Sequence, residues 1–155
     1  MRITICAVGR LRKGPEAVLL DDYLTRFDRT GQSLGLSLGR MVEVDPKPAT
    51  PANEAEALSQ KCPDRALRLC LDERGRMLSS PEFAARLSGW RDAGERDLAI
   101  FIGGADGLAT ELREGCREVL SFGPMVWPHL LVRVMLAEQL YRATTILAGG
   151  PYHRA

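Results

Sequence analysis

Apolar positions along the chain fall into two alternating patterns: short β-branched or alternating runs, and longer stretches where they recur every three or four residues. RITICAV (2–8) is a β-branched strand that ends at Gly9, and PEAVLLDDYLTRF from Pro15 has helical spacing. RMVEVD (40–45) alternates as a strand does. The Pro-rich DPKPATPANE follows it, with Asn53 as the candidate cap of a helix over 53–61. LRLCLD (67–72) reads as a strand and ERGRMLSS as a loop. SPEFAARLSGWRDAG then reads as a helix capped by Ser80, with Pro81 at its first position. LAIFIGG (98–104) is nearly continuous in apolar character, the pattern of a strand covered on both faces. A short helix near 108–116, a strand at EVLSF (118–122) and a long helix from Pro128 to Leu147 complete the series. Strands alternating with helices predict a three-layer α/β domain with a mostly parallel sheet, one domain over residues 1–155.

Composition narrows the class without naming a ligand. Hydrophobic residues make up 45% and charged residues 26% of the 155 residues, as in a globular domain. The net charge of +1 offers no global field for a polyanion, so a nucleic-acid site has to be a local patch or an assembled one. Lysine occurs only at Lys13, Lys47 and Lys61, and the remaining basic residues are arginines, the better fork for phosphate. Cys6, Cys62, Cys70 and Cys116 form no C-x-x-C pair and have no histidine at metal-ligand spacing. We therefore expect reduced thiols and no metal site. Neither a secretory leader nor an apolar stretch of membrane-spanning length is present, so the expected location is the cytoplasm.

In open α/β sheets ligands bind beyond the carboxyl ends of the strands, which singles out three loops. CLDERG (70–75) is the first. In FIGGADG (101–107), Gly103, Gly104 and Gly107 serve either a tight turn or a close approach of backbone amides to a ligand. The segment is neither G-x-G-x-x-G nor a P-loop, which speaks against an ATPase. In SFGPMVWPH (121–129), two prolines stiffen a loop that carries Phe122, Met125 and Trp127. These side chains either grip a flat heterocycle or pack into the core. His129, at the start of a helix, reads as a loop-fixing residue, because an imidazolium is disfavoured at the positive end of the helix dipole.

The last helix is apolar over more than one face, which predicts burial against both the sheet and a partner subunit. Glu138 and Arg142 have the spacing of an intrahelical ion pair, and Arg142 is equally placed to grip an anionic substrate. Beyond Gly149, Gly150 and Pro151 come Tyr152, His153 and Arg154. They are either a solvated tail or a set offering stacking, a titratable ring and phosphate grip for unpaired RNA.

FIGGADG together with LSFGPMVWPHLLVRVMLAEQLYRATTILAGGPYHRA resembles the signature of the RlmH-type ribosomal RNA methyltransferases. These are small single-domain members of the SPOUT class, and MRITICAVGRLR and LCLDERGRMLSS fit as well. The resemblance implies a C-terminal trefoil α/β knot, a homodimer and S-adenosyl-L-methionine as donor. It also implies methylation of N3 of a pseudouridine in 23S rRNA, within the large subunit or the whole ribosome, with no role for DNA or membrane. Carried across, it nominates Leu71, Gly103, Phe122, Gly123, Pro124, Met125, Val126 and Trp127 as cofactor contacts, with Gly104 added by adjacency. His153 becomes the candidate base or substrate contact, Arg142 and Arg154 the candidate anion stabilisers, and Tyr152 a stacking platform. A non-catalytic nucleotide-binding or ribosome-docking dimer module is the competing reading, and it predicts no tight binding of S-adenosylmethionine.

Overall fold

The computed structural model describes residues 1–154. The element order is β1 (Arg2–Val8), α1 (Pro15–Gly31), β2 (Ser37–Val44), α2 (Pro51–Lys61), β3 (Leu67–Met77), α3 (Ser80–Asp92), β4 (Asp97–Ile102), α4 (Thr110–Glu114), β5 (Glu118–Ser121) and α5 (His129–Leu147). The five strands form one sheet in the order β2-β1-β4-β3-β5, and every pairing is parallel.

Alternation along each strand feeds two cores. Ile3, Ile5 and Ala7 of β1 and Leu98, Ile100 and Ile102 of β4 face α1, α3 and α5, where Phe27, Leu87 and Leu140 meet them. Cys6, Val8, Ala99 and Phe101 point the other way, toward Leu58 of α2 and Leu112 of α4. The result is the expected three-layer α/β arrangement around a parallel sheet. All four cysteines are free: Cys6 and Cys70 are buried in the second core and Cys62 and Cys116 lie half-buried at its edge.

Several boundaries differ from the sequence expectation for local reasons. Thr50, not Asn53, caps α2: its side chain accepts the Asn53 N–H at 3.3 Å, and the helix starts two residues early at Pro51. Ser79, not Ser80, caps α3 through a reciprocal capping box with Glu82, which moves Pro81 one position into the helix. The largest difference is in β3, which continues through most of the expected loop to Met77, because Arg76 and Met77 pair again with β5. The break in that ladder shapes the site.

Candidate active site

An open cleft of about 270 Å³ lies across the carboxyl ends of β3, β4 and β5. Its first wall is an excursion of β3. Leu71 and Arg76 both pair with Leu120, so residues 72–75 are pushed out of the ladder, and Asp72, Glu73 and Arg74 line the cleft. Gly75 permits this, since a Cβ there would lie 2.5 Å from the main-chain carbonyl carbon of Leu120. Asp72 fixes the excursion by accepting the Arg74 N–H at 2.9 Å and pairing with Arg113 at 3.4 Å.

The second wall is the turn from Gly103 to Leu108, closed by a bridge between Gly104 and Gly107. A Cβ on Gly103 would come within 2.8 Å of the Gly107 carbonyl carbon, and Gly107 has φ +76, so both glycines are demanded by the turn's own backbone. Behind the turn, the Glu54 carboxylate of α2 lies 3.1 Å from where a Gly104 Cβ would be, and its buried Oε2 has no hydrogen-bond partner. Burial pushes the Glu54 carboxyl above the usual range. The Gly104 N–H works against that rise and the Asp106 charge adds to it.

The third wall is Ser121–Trp127. The Ser121 hydroxyl donates to the Gly123 carbonyl at 3.0 Å and accepts the Gly123 N–H at 3.1 Å, tightening a turn whose glycine has φ +113. Phe122 packs toward the main core, while Met125, Val126 and Trp127 stay 67%, 82% and 39% exposed on the rim. These three are therefore not core-packing residues. His129 and Val132 of α5 close the far side, and burial, helped by the Arg133 charge, lowers the His129 pKa.

A second cluster sits further along α5. Glu138 Oε1 accepts from Arg142 Nε at 2.9 Å and from the Tyr152 hydroxyl at 3.1 Å. The Arg142 guanidinium lies 4.8 Å from the Tyr152 ring centroid, and Tyr152 packs on Tyr141 at the same 4.8 Å. Arg142 Nη1 stands 3.5 Å from His153 Nδ1. Burial, with Tyr23 and Glu138 nearby, raises the Tyr152 phenol pKa. The Glu138–Arg142 ion pair is thus present, and Tyr152 and His153 rest half-buried against α5 while Arg154 is exposed.

Of the nominated cofactor residues, Leu71, Gly103, Gly104, Phe122, Gly123, Met125, Val126 and Trp127 line the cleft. Pro124 belongs to the same loop without lining the wall. Arg142, Tyr152 and His153 come together, but outside this cleft: Arg142 lies about 20 Å further along the helix axis than His129 at ~1.5 Å per residue. Sequence reasoning missed Glu54 and Asp106. Nothing local marks a buried carboxylate in an otherwise polar helix start.

A parallel sheet with its cleft across the carboxyl edge, walled by strand-end loops, defines a ligand-binding α/β domain. A family model described as "Predicted SPOUT methyltransferase" matches residues 1–153. The chain is 63% identical to Ribosomal RNA large subunit methyltransferase H of Ruegeria pomeroyi and 63% identical to the protein of that name from Roseobacter denitrificans, over 99% of both chains in each case. It belongs to the SPOUT methyltransferase family. A solved structure of a "probable methylase family protein" from Haemophilus influenzae Rd KW20 superposes with a TM-score of 0.51 at 16% identity. That match covers 99% of this chain and 70% of the other, and it is a likeness of fold.

Proposed function

We propose that the chain transfers a methyl group from S-adenosylmethionine to N3 of a pseudouridine in 23S rRNA, acting on an assembled particle in the cytoplasm as a homodimer with a knotted C-terminal segment. The observation that carries the reading is the chemistry of the cleft. Its rim is apolar at Met125, Val126 and Trp127, and its walls carry three acidic side chains, Asp72, Glu73 and Asp106, against the single arginine Arg74. That combination suits a ligand with a flat ring and a cationic end, and disfavours a polyphosphate. Names of the relatives favour the catalytic reading over the docking module. Among the described residues no helix is long and apolar enough to cross a membrane, and no group of side chains could hold a metal ion.

When bound, the donor supplies an electrophilic methyl group. Backbone amides and carbonyls of Gly103–Gly107 and Ser121–Trp127 would hold it, and the acidic wall residues Asp72, Glu73 and Asp106 would favour its positive charge. The target nitrogen has to be held in line and relieved of its proton, and orientation alone supplies several kcal/mol. In one protomer the tail cluster does not line the cleft. Exposed apolar residues such as Leu131 on α5 and Val18 on α1 suit burial by a second copy, which would bring its tail to the cleft.

Within the tail, Arg142 is a donor only, so in this contact His153 Nδ1 presents its lone pair and Nε2 carries the hydrogen. The imidazole in this arrangement holds a base oxygen or the developing imide anion by donation, and the N3 proton departs to solvent. Arg142 and Arg154 stabilise negative charge, and Tyr152 offers a ring face. Large subunits from a strain lacking the gene should gain one methylpseudouridine, read by nucleoside mass spectrometry, on incubation with purified protein and S-adenosylmethionine. A modification already present in that strain's rRNA would refute the assignment.

A further inference from the structure

The loop after β1 is the segment the cleft does not use. It carries Arg10, Arg12 and Lys13 within four consecutive positions, all exposed, in a chain whose net charge is +1. None of the three pairs with an acid among the described residues, whereas Arg2, Arg26 and Lys47 all do. Along this stretch only Glu16 opposes them.

The loop is fixed from below. Gly9 donates its N–H to the Val44 carbonyl at 2.7 Å, and Leu11 donates to Glu43 Oε1 at 2.8 Å. Arg133, fully buried on α5, donates to the Gly9 carbonyl at 2.8 Å and to the same Glu43 oxygen at 2.8 Å. One glycine therefore anchors the loop and touches the cleft wall: a Cβ on Gly9 would lie 3.5 Å from His129 Nε2. β1 is also the neighbour of β4, so the loop stands on the same carboxyl edge of the sheet as the cleft.

We infer that Arg10, Arg12 and Lys13 form a phosphate-docking edge that grips the backbone of the RNA substrate beside the cleft. The inference rests on the methyltransferase reading above. Charge decides the occupant. The charged side chains that line the cleft are mostly acidic, Asp72, Glu73 and Asp106 against Arg74, and none of them pairs with Arg10, Arg12 or Lys13, so these three cations at its margin match a polyanion arriving from outside. Three side chains on one short anchored loop can follow successive phosphates without reading sequence.

The test measures binding of the wild-type protein and of the triple variant Arg10→Ala, Arg12→Ala, Lys13→Ala to unmethylated large subunits and to protein-free 23S rRNA, from 50 to 200 mM salt. Each lost phosphate contact removes about 0.7 to 0.9 from the slope of log affinity against log salt. The wild-type advantage should therefore shrink roughly twenty- to fortyfold across that range, on both substrates. Affinity for S-adenosylmethionine, measured by calorimetry, should stay within about twofold, which also shows that the variant is folded. An unchanged salt slope with wild-type methylation intact overturns the docking edge and leaves the function standing. A loss on particles with none on protein-free RNA assigns the loop to an acidic ribosomal protein and overturns it too. Failure of the wild-type protein to methylate large subunits removes both.

Discussion

Arg133 donates to the main-chain carbonyl of Gly9 from the interior of α5, tying the last helix to the end of the first strand. Its guanidinium also reaches the Val8 carbonyl and Glu43, and burial holds its pKa below the ordinary arginine value while Glu43 works against that. Nε is left without a partner, so Nη1 and Nη2 carry the side chain's hydrogen bonds. Replacing it with methionine fills the space but takes a donor from two carbonyls and leaves Glu43 with the Leu11 N–H and solvent. We expect Arg133→Met to cost roughly 1–3 kcal/mol, read from urea unfolding without ligand. A loss below about 1 kcal/mol would mean water serves those acceptors equally well.

Glu54 gives a pH-dependent prediction. Its carboxyl is raised in the folded state, mainly by burial, so below the ordinary carboxyl range both folded and unfolded chains hold the proton and the site is unpenalised. As pH rises through the raised value, the folded chain must ionise a buried group beside Asp106, and that stability is lost. Glu54→Gln keeps the neutral shape. It should match the wild type in stability at acid pH and exceed it at neutral pH. Urea midpoints from pH 4 to 8 that show a constant difference would sink this.

Gly75 has no room for a side chain, because the backbone of Leu120 occupies it. Gly75→Ala should cost roughly 1–3 kcal/mol by forcing β3 and β5 apart. It should also weaken donor binding, since residues 72–74 line the cleft. A variant that loses stability but keeps full affinity in calorimetry would separate the excursion from the site.

The legibility of this fold follows from where information is local. The strands β1 and β4 and the helices α1 and α5 announce themselves through long apolar periods. The second half of β3 does not: DERGRM is charged and contains a glycine, and it becomes strand because Arg76 and Met77 pair with Leu120 and Ser121 of β5. The cap of α3 moves from Ser80 to Ser79 because the reciprocal bond with Glu82 outweighs the preference for proline at the first position. At the cleft, the glycines and the rim residues were visible as unusual loops. Arg133 was invisible as an anchor because a lone arginine in an apolar helix reads as a side chain reaching solvent.

Trp127 tests the rim independently. It is 39% exposed, so its removal leaves the core intact, yet it lines the cleft. Trp127→Ala should lower donor affinity about tenfold, or 1.4 kcal/mol, with an unchanged unfolding midpoint. Equal affinity in the two proteins would move the ligand away from this rim.

The tail permits a sharper test, because its hydrogen bonding restricts what His153 can do. With Arg142 facing Nδ1, the neutral ring carries its hydrogen on Nε2 and acts as a donor. Loss of a donor to a developing anion typically slows a reaction about a hundredfold, without creating or removing a titration. His153→Ala should therefore reduce the single-turnover methylation rate by about that factor equally across pH 6 to 9. His153→Gln, whose amide can donate from a similar position, should recover part of it. A proton acceptor behaves differently: its removal abolishes the rise of rate with pH, and an amide cannot restore it. If the wild-type profile shows an inflection that both variants lack, His153 moves the proton and the Arg142 contact must break when RNA binds. If the profiles run parallel, the tail holds the base while solvent takes the proton.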